Sequence, residues 1–362
     1  MRRKTRNFML GGVGVGSDHP VTVQSMCNTR TADVEATLAQ IGRLAALGCD
    51  IIRVSVDSPA DENSLGEICR RSPLPVIADI QFSGESALSA IARGCAGIRL
   101  NPGIIRDEAL LKRIAAAAAG CGTVIRVGAN AGSLSMKHLA ALTAKGIPEE
   151  EATAQLLCEA ALAQCEVLEK YGVRNIKVAV KCSDVAVTLK AYRLAAAQCD
   201  YPLHLGLTEA GTPALGELRS AIAVGSLLAD GIGDTIRVSL TASPEAEIPA
   251  ARRILEACGL LPGAAEIISC PTCGRTEIDL IGLTGKVESL IASLRAEGKK
   301  LLWHKIAVMG CPVNGPGEAR RAEIGIAGSR NGTLVIFRRG EVLGAYPESE
   351  AFARFSALLT GE

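Results

Sequence analysis

The chain has 362 residues, enough for two domains, and is 48% hydrophobic, 21% charged and 3% aromatic, which excludes a disordered chain. Its 38 Gly and 15 Pro follow no repeat of three, which excludes collagen. A net charge of +1 and few aromatic residues exclude a general nucleic-acid binder, which needs a concentrated basic surface and stacking platforms. The mean hydropathy is +0.25, yet the most apolar run, residues 114–125, is too short to cross a membrane. The start, Met1-Arg2-Arg3-Lys4, is basic, but residues 11–18 read as a loop where a signal peptide would need an apolar core. A soluble, cytoplasmic protein with no membrane partner is expected.

From residue 21 to about 259, β-rich runs alternate with Ala/Leu-rich runs of helical spacing. Strands are predicted over 21–26, 50–56, 75–80, 97–101, 124–130, 176–181, 202–208 and 235–241. Helices are predicted over 32–47, 61–71, 84–94, 107–119, 149–171, 184–198, 216–230 and 245–258. In the first helix Thr31 is the expected cap, Val34, Leu38, Ile41 and Ala45 share a face, and Gly48 ends it. Eight β-then-α units in about 240 residues predict an α/β fold, a TIM (β/α)8 barrel; a doubly wound open sheet would show fewer units. Pro249 costs about 3 kcal/mol inside a helix, so the eighth helix is expected to start or kink there. The pattern then changes to strand 266–269, helix 283–297, strands 305–309, 323–327, 333–338 and 342–346, and helix 350–360. This order predicts a small α+β domain, dividing the chain into 1–262 and 263–362.

Strands buried on both faces should be apolar, but these carry polar residues at or near their C-terminal ends. Arg53, Ser55 and Asp57 alternate in the second strand, and Asp79 ends the third. Arg99 with Asn101, and Arg126 with Gly128 and Asn130, share faces of the next two. Lys181 ends the sixth strand, His204 lies in the seventh with Glu209 just beyond, and Arg237 and Ser239 share a face of the eighth. Barrel active sites sit at this C-terminal mouth. Five cations converging there, Arg53, Arg99, Arg126, Lys181 and Arg237, require an anion, and a diphosphate suits them. Asp79 and Glu209 are the alternative, internal counter-charges. The glycines of the 128–132 tract could add backbone N–H groups.

Most of the 13 cysteines sit in apolar runs and read as small hydrophobes rather than disulfides. Cys270 and Cys273 form a C-x2-C pair after a strand, and Cys311 opens a Pro/Gly loop after another. Thiolates suit zinc or an iron–sulfur cluster. His304 as fourth ligand would make a structural zinc site; Glu318 would make a cluster with one oxygen-ligated, exchangeable iron.

Seven segments together carry a resemblance: VTVQSM at 21–26, GIRLNPG at 97–103, RVGANAGSL at 126–134, HLGLTEAG at 204–211, GIGDTIRVSL at 231–240, CPTCGR at 270–275 and VMGCPVNGPGEA at 308–319. They resemble the IspG (GcpE) family, the 4-hydroxy-3-methylbut-2-enyl diphosphate synthases of the non-mevalonate isoprenoid route, from about residue 2 to the end. The resemblance implies a TIM barrel joined to a ferredoxin-like (sulfite-reductase-like) domain holding a 4Fe–4S cluster on Cys270, Cys273, Cys311 and Glu318. It leaves His304 as a neighbour. It implies 2-C-methyl-D-erythritol 2,4-cyclodiphosphate as substrate, ferredoxin or flavodoxin as electron donor, and a head-to-tail homodimer. On this reading Arg53, Arg99, Arg126, Lys181 and Arg237 hold the diphosphate, with Asn130 and Ser239 adding hydrogen bonds. Glu209 is the candidate proton donor, His204 the reserve, and Asp57 and Asp79 orient cations or meet substrate hydroxyls. Gln81, Ser83, Ile104, Pro312 and Cys27 depart from the family's usual residues without replacing a proposed ligand or cation. The competing readings are a non-redox barrel enzyme on a phosphorylated substrate with a structural zinc, and a zinc-stabilised binding protein.

Overall fold

The computed structural model describes residues 2–81, 83–100, 107–311, 318–329 and 332–361. The chain divides into two compact units, Met1–Leu260 and Leu261–Glu362. No helix among the described residues is long and apolar enough to cross a membrane.

The first unit opens with an antiparallel hairpin, β1 (Phe8–Leu10) and β2 (Val13–Val15), so residues 11–18 are not simply a loop. Gly11 and Gly12 turn it with φ of 53° and 93°, and a Cβ at Gly11 would lie 2.6 Å from the Pro75 Cβ. Phe8, Leu10 and Val15 pack on Ile51, Ile77 and Val124, near the starts of three barrel strands. The hairpin therefore covers the end of the barrel opposite the mouth.

The barrel elements follow in order: β3 (Thr22–Met26), α1 (Val34–Ala46), β4 (Ile51–Val56), α2 (Pro59–Arg71), β5 (Val76–Ile80), α3 (Gly84–Ala92), β6 (Gly97–Leu100) and α4 (Glu108–Cys121). Then come β7 (Val124–Asn130), α5 (Met136–Thr143), α6 (Glu149–Lys170), β8 (Ile176–Lys181), α7 (Val185–Gln198), β9 (His204–Leu205), α8 (Pro213–Ala229), β10 (Thr235–Ile236) and α9 (Pro244–Ala257). The eight strands β3–β10 run in the order β8-β7-β6-β5-β4-β3-β10-β9, all pairs parallel. A bridge between Val178 and Leu203 joins the two ends, so the sheet is a nearly closed barrel rather than an open doubly wound sheet.

Several local expectations shift. Asp33, not Thr31, caps α1 by accepting from the Ala36 N–H, while the Thr31 hydroxyl donates to the Ser55 carbonyl at 2.7 Å. The buried face of α1 is Thr37, Gln40, Ile41 and Leu44. Two polar residues belong to it, because the Gln40 side chain holds the Asn28 N–H and side chain, and an apolar-only pattern misses them. Helix α9 starts at Pro244 and runs through Pro249, which near the N-terminus forfeits only one intrahelical bond. Helix α5 was not expected: it buries no residue and so has no apolar stripe. β9 and β10 are two residues each, because apolar β-rich sequence does not distinguish a ladder from an extended chain leaving it.

The second unit contains β11 (Glu266–Ser269), α10 (Leu280–Ala296), β12 (Lys305–Met309), β13 (Ile324–Gly328), β14 (Thr333–Arg338), β15 (Glu341–Pro347) and α11 (Glu348–Thr360). Its sheet runs β11-β12-β13-β14-β15, the first three strands parallel and the rest antiparallel. Leu283, Val287, Ile291 and Leu294 stripe α10, and with Phe355 and Leu359 of α11 they bury Ile306, Val308, Ile324 and Ile326. The alternate residues Ala307, Met309, Ala327 and Phe337 bury Ala319 and Ala322 in a second cluster.

Candidate active site

Parallel register sets which side chains meet at the barrel mouth. Asp79 pairs with Arg99, Arg99 with Arg126, and Asn130 with Lys181 across successive strands. With a side-chain period of two, these positions point into the barrel together. They enclose a cavity of about 540 Å³, counting all atom-free space to its opening. Arg53, Arg99, Arg126, Asn130, Lys181, Arg237 and Ser239 all line it, with Asp79, Gln81, Gly128 and Thr208.

Counter-charge is short. Asp79, 2% exposed, lies 3.7 Å from Arg53 and 3.5 Å from Arg99, and accepts from the Gln81 amide. Glu247 of α9 lies 3.6 Å from Arg237 and also accepts from the Ser25 hydroxyl and the Leu240 N–H. No ion pair is recorded for Arg126 or Lys181 among the described residues. Arg53 and Arg237 turn N–H groups toward the Met26 sulfur, a weak acceptor. Among the described residues, the buried Nε atoms of Arg99, Arg126 and Arg237 have no hydrogen-bond partner.

The electrostatics follow from this arrangement. Burial draws the Arg53 guanidinium down to about 10, partly opposed by Asp79. Burial, reinforced by Arg53 and Arg99, pulls Arg126 well below its ordinary value; burial with Arg126 and Arg237 does the same to Lys181. Asp79, despite its burial, is held below the usual carboxylate range by Arg53, Arg99 and Arg126. A bound anion would relieve all of these at once. Two glycines make room: a Cβ at Gly206 would strike the Lys181 ammonium, and one at Gly128 would lie 3.4 Å from the Arg99 Nε.

The other predicted residues fall elsewhere. His204 is fully buried, hydrogen-bonded through Nδ1 to the Thr235 hydroxyl at 2.7 Å, and does not line the cavity. Burial and the nearby Lys181 and Arg126 hold its imidazole neutral. Glu209 is exposed on the loop after β9, one residue beyond Thr208, with φ of 53°; it stands at the rim and, among the described residues, pairs with no cation of the cavity. Asp57 is exposed, and its N–H binds Asp61, so it does not orient the ring. Asn101 lies outside the described residues. Sequence reasoning missed Lys177, Gln24, Met26 and Glu247. The first three were legible as inward positions of their strands; Glu247 is one of many helical glutamates, and only the packing singles it out.

In the second unit, Cys270 and Cys311 follow adjacent parallel strands at one end of the sheet, with Ser269 paired to Val308. The Gly310 N–H donates to the Cys270 sulfur at 3.2 Å. Cys273 is exposed, and its N–H donates to the Thr276 hydroxyl. Among the described residues no three His, Cys, Asp or Glu side chains stand at metal-binding distance, and the Glu318 side chain and residues 312–317 lie outside the description. Three sulfur donors from two loops, one already accepting an N–H, fit a thiolate-held cluster in donor chemistry. His304 does not join them. It precedes β12 at the other end of the sheet, separated from Cys311 by roughly 16 Å of strand. The zinc reading loses its fourth ligand.

Residues 5–252 match the family model described as the GcpE TIM-barrel domain, and residues 266–360 the one described as the GcpE protein C-terminal domain. The chain is 47% identical over 350 residues to a Corynebacterium efficiens protein named 4-hydroxy-3-methylbut-2-en-1-yl diphosphate synthase (flavodoxin), covering 96% of this chain and 89% of that one. Proteins of the same name from Mycobacterium tuberculosis and Nocardia farcinica are also 47% identical over 350 residues, covering 96% of this chain and 87% of theirs. Among solved structures, the N-acetylneuraminic acid synthetase of Leptospira borgpetersenii matches 82% of this chain and 99% of its own at a TM-score of 0.50 and 12% identity, a likeness of fold alone.

Proposed function

The chain belongs to the GcpE family, and from that membership we propose that its barrel mouth binds 2-C-methyl-D-erythritol 2,4-cyclodiphosphate for reductive ring opening to 4-hydroxy-3-methylbut-2-enyl diphosphate. The observation that carries this reading is the cavity lined by Arg53, Arg99, Arg126, Lys181 and Arg237, for which Asp79 and Glu247 are the carboxylates in ion-pair range among the described residues. A diphosphate supplies the missing negative charge, and guanidinium forks match phosphate oxygens in pairs. Asp79 holds Arg53 and Arg99 in place, and Glu247 holds Arg237, so the cations are oriented before the ligand arrives. Asn130 and Ser239 add uncharged polar groups to the wall. Glu209, at the rim, is the proposed proton donor to the departing oxygen. His204, neutral and beneath the cavity, is assigned to the scaffold.

A 4Fe–4S cluster, held by Cys270, Cys273, Cys311 and Glu318, would supply the two electrons of the reaction one at a time. The same reading takes flavodoxin as the donor, after the relatives' name, and makes the enzyme a cytoplasmic homodimer. Anaerobic purification should give a brown protein with about four irons and matching sulfide per chain. Reduced flavodoxin should then drive turnover of the cyclic diphosphate. One zinc per chain and no iron would refute the cluster, and failure of the cyclic diphosphate to bind would refute the barrel assignment. Light scattering tests the dimer.

A further inference from the structure

Below the cationic mouth lies a lysine that belongs to none of the polar strand ends. Lys177 of β8 is four residues before Lys181 on the same inward face and is 0% exposed. Its Nζ donates to the Gln24 side-chain oxygen of β3 at 3.4 Å, and it makes no ion pair among the described residues. The groups facing it are mostly cations: Arg126, its register partner on β7, Arg53 on β4 and Lys181 on its own strand, with neutral His204 on β9. The nearby carboxylate is Asp234, just before β10, which is already engaged by Arg2, the Thr5 hydroxyl and the Leu203 N–H. The buried layer also holds polar atoms with no hydrogen-bond partner among the described residues, Gln24 Nε2 and His204 Nε2.

Guanidinium groups stay protonated, so the repulsion among these six cations is relieved at the two lysines, Lys177 and Lys181, which burial and the neighbouring arginines both pull down. We propose that Lys177 is a positioning residue for the diphosphate, neutral in the free enzyme above neutral pH, and that ligand binding loads its Nζ with one proton taken from solvent. The proposal rests on the diphosphate reading of the barrel mouth. The ligand's two negative charges enter the same low-dielectric barrel, offset much of the positive field, and favour the ammonium. The recharged Lys177 then adds attraction from beneath without touching the ligand.

The direction of the effect agrees with the free-state titration. Burial, then Arg126, brings Lys177 down to about 7. Below that pH it already carries its proton, and binding takes up none. Above it, binding takes up a proton until the raised, ligand-bound value is passed. Over that window the dissociation constant should rise by up to about tenfold per pH unit.

Calorimetric titration of the oxidised holoenzyme with 2-C-methyl-D-erythritol 2,4-cyclodiphosphate, without reductant, prevents turnover. Repeating it in buffers of different ionisation enthalpy counts protons. The phosphodiester groups of this ligand do not titrate near neutrality, so the protons counted are the protein's. The expected result is at least one proton taken up near pH 8, about one of it at Lys177 and lost toward pH 6, any remainder belonging to Lys181. Lys177→Arg, permanently charged, and Lys177→Met, permanently neutral, should each lower the uptake near pH 8 by about one proton. Undiminished uptake in a folded variant overturns the proposal. If neither variant folds, Lys181→Arg, which keeps that position charged, decides: uptake near pH 8 that persists in it supports the proposal, and loss of the uptake overturns it. Binding without uptake overturns this inference alone. No binding by the wild type overturns the diphosphate reading with it.

Discussion

Asp79→Asn removes the one carboxylate among the described residues lining the cavity while keeping the side chain's shape. It lies 3.7 Å from Arg53 and 3.5 Å from Arg99. At an effective dielectric of about 20, each contact is worth roughly 4–5 kcal/mol of Coulomb attraction. The aspartate's own desolvation cost, which the substitution removes, offsets much of that. Breaking a buried pair typically costs about 3–5 kcal/mol, and separations beyond 3.4 Å favour the lower end, about 3 kcal/mol. For a unit of this size that is roughly 6–12 °C in melting temperature. The same arithmetic predicts a rescue. A bound diphosphate supplies negative charge to the guanidinium groups that Asp79 held, so saturating ligand should raise the variant's melting temperature by more degrees than the wild type's. Thermal melting with and without the cyclic diphosphate measures both. A variant that melts with the wild type, or equal ligand increments in the two proteins, would refute the charge accounting on which the site assignment stands.

Glu209→Gln should leave iron content and the cluster's absorbance unchanged while lowering kcat about 10²-fold, as removal of a general acid does; an unchanged kcat removes Glu209 from the chemistry. Gly206→Ala would put a Cβ against the Lys181 ammonium and 2.6 Å from the Arg237 carbonyl oxygen, displacing two ring cations. Its KM should rise about tenfold or more, with secondary structure retained, and a wild-type KM would show that neither cation is held as described. Cys273→Ser should lose the bound iron and turnover together; turnover by the iron-free variant would sink the redox assignment.

The eight-fold alternation of β-rich and helical segments was sufficient to predict a barrel, because a strand buried on both faces and an amphipathic helix leave different periodicities in the chain. The period of two also marked Arg53, Arg99, Arg126, Lys181 and Arg237 as inward-facing at strand ends, and the structure places all five around one cavity. What local pattern did not carry was whatever depends on a distant partner. The hairpin β1–β2 is too short to show a period, and α5 has no buried stripe to show one. Thr31 carried a good capping signal but was drawn to the Ser55 carbonyl, leaving the cap to Asp33. Asp79 and Glu247 became the ring's counter-charges while Glu209 and Asp57 did not, since charge balance is settled by ångström separations that composition does not contain. Lys177 shows the division most plainly. Its inward direction was written in the strand, but its complete burial among like charges, with one hydrogen bond to Gln24, exists only once β3, β7 and β8 close into a barrel.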